Sequence, residues 1–437
     1  MYLNRPGPEM STALIAVFIA VYAAIALEHP LKINKSASAL IGAGLLWTIY
    51  ALATSDAQLV GRQVGESLIG TARIVFFLMG AMAVVEVVDA HNGFDVITRR
   101  IRTNKLSSLM WLVGFITFFL SAVLDNLTTT IVMIALMRRL LAKHEDRMFF
   151  AGIIVIAANS GGAWSPIGDV TTTMLWIGGQ ITSLAIIKSV ILPSLMSLIV
   201  PLGITACALR GRAVEPPQLS ADGNYHPRTT DFECYLMLFI GLGVLIAVPV
   251  FKTVTSLPPW MGILTGLGIV SLVGDLLHRH KEDRYKQHLT LAHALSRIDM
   301  SSIVFFIGIL IAVATLEHTH ILASLAQSLH QIVGRQDVIV LIIGIVSAIV
   351  DNVPLVAASM GMYSLAEYPP DHFLWHFMAY CAGTGGSILI IGSAAGVAAM
   401  GMEKIQFFWY VKKVSGLAFV GYIAGAGSYL VQYQLLH

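Results

Sequence analysis

Residues 121–130 read SAVLDNLTTT, and residues 347–354 read SAIVDNVP. The shared core, SA followed by two hydrophobic residues and DN, recurs at an offset of 226. Each copy lies between two apolar runs: 106–124 and 127–141 around Asp125-Asn126, and 336–350 and 353–366 around Asp351-Asn352. Asp and Asn favour helix starts over helix interiors. Each pair of runs is therefore read as a helical hairpin with Asp-Asn at its tip. Downstream, ANSGGAWSPIG at 158–168 is echoed by AGTGGSILIIG at 382–392, an offset of 224. Upstream, IVFF at 74–77 returns at 303–306, an offset of 229. Matches in one order at nearly constant spacing describe an internal repeat.

The rest of the chain is as apolar as these stretches. Of 437 residues, 56% are hydrophobic and 12% charged, against about 25% charged in a soluble domain. A soluble globular protein, a disordered chain and a coiled coil are excluded. A net charge of +2 is too small for a nucleic-acid footprint. Cys207, Cys234 and Cys381 lie far apart without metal-type spacing and read as packing residues. About 20 apolar residues cross a bilayer. Further runs lie at 11–27, 37–54, 72–88, 148–178, 181–209, 232–251, 259–277, 301–317, 372–402 and 407–433. The expected fold class is an all-α polytopic membrane protein. The first run lacks a basic leader and a clear cleavage site, so it is taken as a retained helix.

Loop charges set the expected sidedness. Basic groups cluster at Lys32 and Lys35; at Arg99, Arg100, Arg102 and Lys105; at Arg138, Arg139, Lys143 and Arg147; and at Arg279, Lys281, Arg284 and Lys286. Taken as cytoplasmic, these make the first hairpin enter from the cytoplasm. The second, flanked by Arg335, Asp337, Glu367 and Asp371, enters from outside. Ten crossings then follow, five on each side of the 210–231 loop with its Pro216-Pro217, and both termini lie outside. The expected organisation is a first repeat at 1–209, a cytoplasmic linker at 210–231 and a second repeat at 232–437. An odd number of crossings per half inverts the second copy. Inverted repeats mark secondary transporters, whose site lies at the midplane where helices are interrupted. The interruptions here are the Asp-Asn tips and the Gly-rich segments of the 148–178 and 372–402 runs.

Together SAVLDNLTTT, ANSGGAWSPIGDVTTT, SAIVDNVP and GTGGSILIIGSAAG resemble the NhaD-type sodium/proton antiporters of the ion transporter superfamily, over about residues 72–402. The resemblance implies a dimer, each protomer having a scaffold part and an elevator-like transport part. It implies site positions at Asp125, Asn126, Asn159, Asp169, Thr171, Asp351, Asn352 and Thr384. The halves differ: Gly383 stands where Asn159 would be, and Ser393 where Asp169 would be. The placement implied for such a chain is a bacterial inner membrane.

The residue types fit a cation. A carboxylate at the bilayer centre costs about 2.5–3.5 kcal/mol on insertion scales. Asp125, Asp169 and Asp351 all fall in the interruptions, and the sequence offers no Lys or Arg inside the motif runs that could neutralise them; Lys188 and Arg73 are the nearest candidates. Hard cations take oxygen ligands. Asp125, Asn126, Asn159 and Thr171, with Asp169 beside them, form one expected half of the ligand set. Asp351, Asn352, Thr384 and Ser387 form the other, and carbonyls freed where Gly161-Gly162 and Gly385-Gly386 unwind the helix add to both. Burial and like-charged neighbours make a carboxyl hold its proton more tightly. Protons and Na⁺ or Li⁺ then compete for one site, and no cofactor is needed. Glu86 and Glu317, near the ends of the two IVFF helices, are accessory acidic candidates.

Blander readings stand beside these. Asp125, Asp169 and Asp351 serve equally as helix caps, and the glycine pairs as close-packing points. Glu317-His318-Thr319-His320 reads as a wetted helix end rather than a metal site. His278, His280, His288 and His293 read as a solvated loop. Competing functions are a dicarboxylate or arsenite carrier of the same superfamily and an intramembrane aspartyl protease. Against the first, the dicarboxylate carriers have uncharged hairpin tips. Against the second, Pro166-Ile167-Gly168-Asp169 is not the Gly-x-Gly-Asp of such enzymes.

Overall fold

The structure is a computed structural model that describes residues 8–54, 56–94, 103–215, 229–279 and 287–436. The basic residues Arg99, Arg100, Arg102, Lys281, Arg284 and Lys286, with His280 and the Pro216-Pro217 centre of the linker, lie outside the described residues. The described residues are nearly all helix.

The first half opens with α1 (Pro8–Ala26), a single turn at Glu28–Leu31, α2 (Lys35–Ala53) and α3 (Ala57–Ala90). A hairpin follows, made of α4 (Leu106–Ser121) and α5 (Asn126–Leu140). Next comes a helix in two pieces, α6 (His144–Ala163) and α7 (Val170–Gly178), then α8 (Ser183–Ala208). The second half runs through α9 (Asp231–Thr255), α10 (Pro259–His278), the short α11 (Leu291–Arg297) and α12 (Met300–His318). It continues with α13 (Ile321–Val333), the hairpin arms α14 (Gln336–Val346) and α15 (Asn352–Met362), and the broken pair α16 (Phe373–Gly385) and α17 (Ala394–Glu403). It closes with α18 (Phe407–Leu436).

Seven described helices are long and apolar enough to cross a bilayer: α2, α3, α8, α9, α10, α12 and α18. The chain is an all-α polytopic membrane protein. The other runs expected to cross correspond to α1, whose apolar stretch Glu9–Ile25 is shorter, and to the two broken helices. α13 was not expected. It joins α14 at a bend of 114°, because Gly334 between them takes a left-handed φ of 72°, which glycine adopts without strain. α3 also begins earlier than its apolar run, and its 34 residues extend about 51 Å at 1.5 Å per residue.

Both halves pack in the same way. α1 lies on α2 and α9 on α10; α2 lies on α12 and α10 on α3. α4 packs on α6, and α14 on α16. Contacts then cross between halves: α17 packs on α5, α15 on α7, and α8 on α18. The hairpin of each half is therefore seated on the broken helix of the other.

Short polar residues set the breaks. Helix starts leave N–H groups without intrahelical partners, and a side-chain oxygen accepts from them. Asp125 caps α5 through Thr128 N–H, and Asp169 caps α7 through Thr171 N–H. Asp351 caps α15 through Val353 N–H, and Ser393 caps α17 through Gly396 N–H.

One expectation needs correction. Gly161-Gly162 do not unwind the first broken helix: α6 runs on through them to Ala163, and the non-helical stretch is 164–169. Gly385 is likewise the last residue of α16. Glycine is required by approach instead. A Cβ on Gly161 would lie 2.2 Å from the Phe118 carbonyl oxygen, and one on Gly385 1.9 Å from that of Gly344. Each glycine lets a hairpin arm press its backbone onto the broken helix behind it.

Candidate functional site

The first hairpin tip is built by its own cap. Asp125 Oδ1 accepts from Thr128 N–H at 2.8 Å and Oδ2 from Thr128 Oγ1 at 2.7 Å. Asn126, buried beside it, donates through Nδ2 to Asn159 Oδ1 at 2.9 Å. Asn159 is wholly buried on α6. Its Nδ2 donates to Ser387 Oγ at 3.0 Å and to Ser393 Oγ at 2.9 Å. One asparagine thus ties the first hairpin tip to the break between α16 and α17 in the other half.

A second line of contacts runs the other way. Asp169, 2% exposed, accepts from Thr171 N–H at 3.3 Å through Oδ1 and from Asn352 Nδ2 at 3.2 Å through Oδ2. Asn352 belongs to the second hairpin tip. Asp169 lies within electrostatic reach of both Asp125 and Asp351. Gly383 packs close by: a Cβ there would stand 3.1 Å from Ala163 Cβ, tighter than ordinary contact, and 3.6 Å from Asp169 Oδ2. The glycine in the second half therefore serves the close approach of α16 to the end of α6 at Ala163.

Asp125, Asn126, Asn159, Asp169, Asn352 and Ser387 come together in this way. Thr171 sits beside Asp169, fully buried, and its hydroxyl lacks a hydrogen bond of normal geometry. Thr129 and Thr130, on α5 just past the first tip, carry buried hydroxyls with no partner among the described residues. A buried polar group left unpaired costs about 1–3 kcal/mol, so these oxygens suit a ligand. Thr384 is turned to its own helix, where Oγ1 donates to Tyr380 O at 2.6 Å. Two residues absent from the expected ligand set belong here: Ser393, which accepts from Asn159, and Thr129. Their signal was present in the sequence, in the Ser393 departure and the TTT run after Asp125-Asn126.

Two small cavities touch the tips. One of 60 Å³ is lined by Asp125, Asn126, Phe77, Ser302, Phe306 and Ala394, among others. The other, of 40 Å³, is lined by Glu28, Lys35, Asp351 and Ser393, among others. Ser393 and Ala394 are neighbours, so the start of α17 stands between the cavities. The first opens between the first hairpin tip and the helices α3, α9 and α12, and the second between the second hairpin tip and the region of α1 and α2.

Basic residues from outside the motif runs meet the acidic groups at two places. Lys35 Nζ lies 3.2 Å from Asp351 Oδ2. Arg297, carried by α11, lies 3.1 Å from Glu86 Oε2 and 3.0 Å from Asp89 Oδ2. Both cations sit outside the motif runs in sequence, and folding brings them to the acidic groups. Glu86 remains near the site, within electrostatic reach of Asp125. Glu317 does not join it. Glu317 is exposed and lines a separate 310 Å³ cavity with Glu66, Ser67 and His318.

The arrangement gathers carboxylates, amides and hydroxyls around helix starts in an apolar protein. It offers oxygen ligands to a small hard cation and acceptors to protons.

Comparison with known proteins finds membrane transporters. A sequence model of the citrate transporter family, CitMHS, matches residues 17–383. The chain is 48% identical to sodium/proton antiporter 1 of Arabidopsis thaliana over 98% of its own length and 73% of that protein. It is 47% identical to sodium/proton antiporter 2 of the same plant, over 94% and 96%. It is 27% identical to the Na⁺/H⁺ antiporter NhaD of Alkalimonas amylolytica, over 95% and 89%.

Proposed function

The chain belongs to the citrate transporter family and, within it, to the NhaD-type sodium/proton antiporters, and from that premise we propose that it exchanges Na⁺ or Li⁺ for H⁺ across a membrane. The observation that carries the reading is the convergence on Asp169, which receives Asn352 from the other half and lies in reach of Asp125 and Asp351. In this reading the cation is held by carboxylate oxygens of Asp125 and Asp169, amide oxygen of Asn126, and hydroxyls of Thr171 and its neighbours, with Asp351 and Ser387 closing the opposite side.

Cation and protons use the same carboxylates, so one displaces the other. A carrier that crosses with either load, and poorly with neither, couples the two fluxes without a separate proton path. The halves run in opposite directions through the membrane, and the hairpins with the broken helices move as a unit against α1, α2, α3, α9, α10 and α12. The small cavities between tip and framework support that division, since they mark where the two parts face one another.

The test is proton flux in everted vesicles as Na⁺, Li⁺, succinate, citrate or arsenite is added over a pH series. Alkali cations should collapse the proton gradient in the wild type, and Asp125→Asn and Asp169→Asn should abolish the response. A response to the anions alone would replace this reading with the anion carrier.

A further inference from the structure

Among the acidic groups of the site, Asp351 is held differently. The described residues place no basic side chain in an ion pair with Asp125 or Asp169, whereas Lys35 reaches Asp351 from α2. Lys35 is the first residue of α2, and its position is fixed by its neighbours. Asn34 Nδ2 donates to Ser301 Oγ at 3.1 Å, and Ser36 Oγ donates to Ser301 O at 2.7 Å. α2 is thereby pinned to the start of α12, and the ammonium stands 4.6 Å over the Phe305 ring of that helix. Both partners of the pair are largely shielded, with side chains 21% and 15% exposed.

The Asp351 carboxylate divides its oxygens. Oδ1 faces the Val353 N–H at 3.3 Å, and Oδ2 faces Lys35 Nζ at 3.2 Å. An incoming cation that uses Oδ2 meets a positive charge already there, and like charges at such range repel strongly in a shielded site. Lys35 has somewhere else to go. Glu28 accepts from the Lys35 backbone N–H at 3.3 Å through Oε1, and it lines the same cavity as Lys35 and Asp351. Asp299 is also within electrostatic reach.

We propose that Lys35 is a tethered competitor for the transported cation, neutralising Asp351 in the cation-free carrier and swinging toward Glu28 when Na⁺ takes the carboxylate. Lys35 remains charged throughout; only its partner changes. It is a positioning residue, since it acts on Na⁺ through Asp351. The pair also joins the second hairpin tip to α2 and α12, so arrival of Na⁺ would release a contact between moving and fixed parts. This proposal rests on the exchanger reading above.

The experiment measures Na⁺-driven proton flux against Na⁺ concentration in proteoliposomes at one fixed pH. Lys35→Met should lower the KM for Na⁺ roughly tenfold, which corresponds to about 1.4 kcal/mol of competition removed. Lys35→Arg, which keeps the charge, should restore the wild-type KM. Glu28→Gln, which removes the alternative partner, should raise it. A merely structural lysine would give a raised KM or a lower rate on removal, without rescue by Arg. Should Lys35→Met lose transport altogether, the Na⁺ dependence of thermal unfolding of the purified protein gives the same comparison. Tighter half-saturation in the variant supports the proposal, and equal or weaker half-saturation overturns it. A wild type without any Na⁺-driven flux overturns the exchanger reading instead. An active wild type whose KM is unchanged or raised by Lys35→Met overturns this proposal alone.

Discussion

Replacing Asn159 by alanine cuts the junction between the two halves at its centre. Asn159 is wholly buried, accepts from Asn126 at 2.9 Å, and donates to Ser387 and Ser393 at 3.0 and 2.9 Å. Each neutral hydrogen bond contributes a net of about 1 kcal/mol. Loss of all of them amounts to about 3 kcal/mol, or about 150-fold in an equilibrium constant. Ser387→Ala removes one of these bonds, about 1 kcal/mol and about fivefold. Ser393→Ala removes one and also the cap of α17, for which about 1 kcal/mol more is typical. The expected order of KM for Na⁺ in everted vesicles is therefore wild type, Ser387→Ala, Ser393→Ala, Asn159→Ala. The Na⁺ dependence of unfolding of the purified variants separates weak binding from poor folding. If Asn159→Ala raised KM no more than Ser387→Ala, Asn159 would not be the junction, and the convergence of the half-sites would lose its structural basis.

Other outcomes follow from the same contacts. Gly161→Ala would place a methyl 2.2 Å from the Phe118 carbonyl oxygen; overpacking of this kind costs about 1–3 kcal/mol and should reduce the yield of monodisperse protein. Gly203→Ala, where a Cβ has nothing within 4 Å, should be harmless in the same gel-filtration assay. Glu403, with a side chain 2% exposed, pairs with Arg138 Nε at 2.6 Å and Arg147 Nε at 3.3 Å. Hydrogen bonds to charged groups contribute about 1.5–3 kcal/mol each, so Glu403→Ala should lower the unfolding temperature in detergent while leaving KM for Na⁺ near wild type. Arg297→Gln frees Glu86 and Asp89 near the first tip and should lower KM for Na⁺ by about twofold, the scale of an exposed pair. That gain should vanish as choline chloride is added to screen it.

Much of the fold was legible because membrane helices announce themselves by length and apolarity. The tips were legible for a related reason: Asp125-Asn126 and Asp351-Asn352 carry charge into apolar runs, which is costly enough to demand a purpose. The two purposes weighed in the sequence turn out to be compatible. Each aspartate caps a helix, and Asp169 also accepts from Asn352 of the other half while Asp351 also meets Lys35. What escaped the sequence depends on contacts far apart in the chain. Lys35 and Asp351 are separated by 316 positions, and nothing local to either reveals the pair. Lys35 was read from its sequence neighbours as part of a basic loop. The glycine pairs were read as unwinding points because Gly disfavours helix; in the fold they stay helical or end one, and the missing Cβ serves backbone approach. α13 escaped because its apolar residues are interrupted by Ser324, Gln327, Ser328, His330 and Gln331, leaving no continuous apolar run.

The central claim is that Na⁺ and protons exclude one another at the carboxylates gathered around Asp169. It is tested most directly by calorimetric titration of the purified protein with NaCl, repeated in buffers of different ionisation enthalpy and at several pH values. The account predicts proton release on Na⁺ binding, weaker Na⁺ binding as pH falls, and loss of the proton release in Asp169→Asn. Na⁺ binding of constant strength across the pH series, with no proton released, would contradict it.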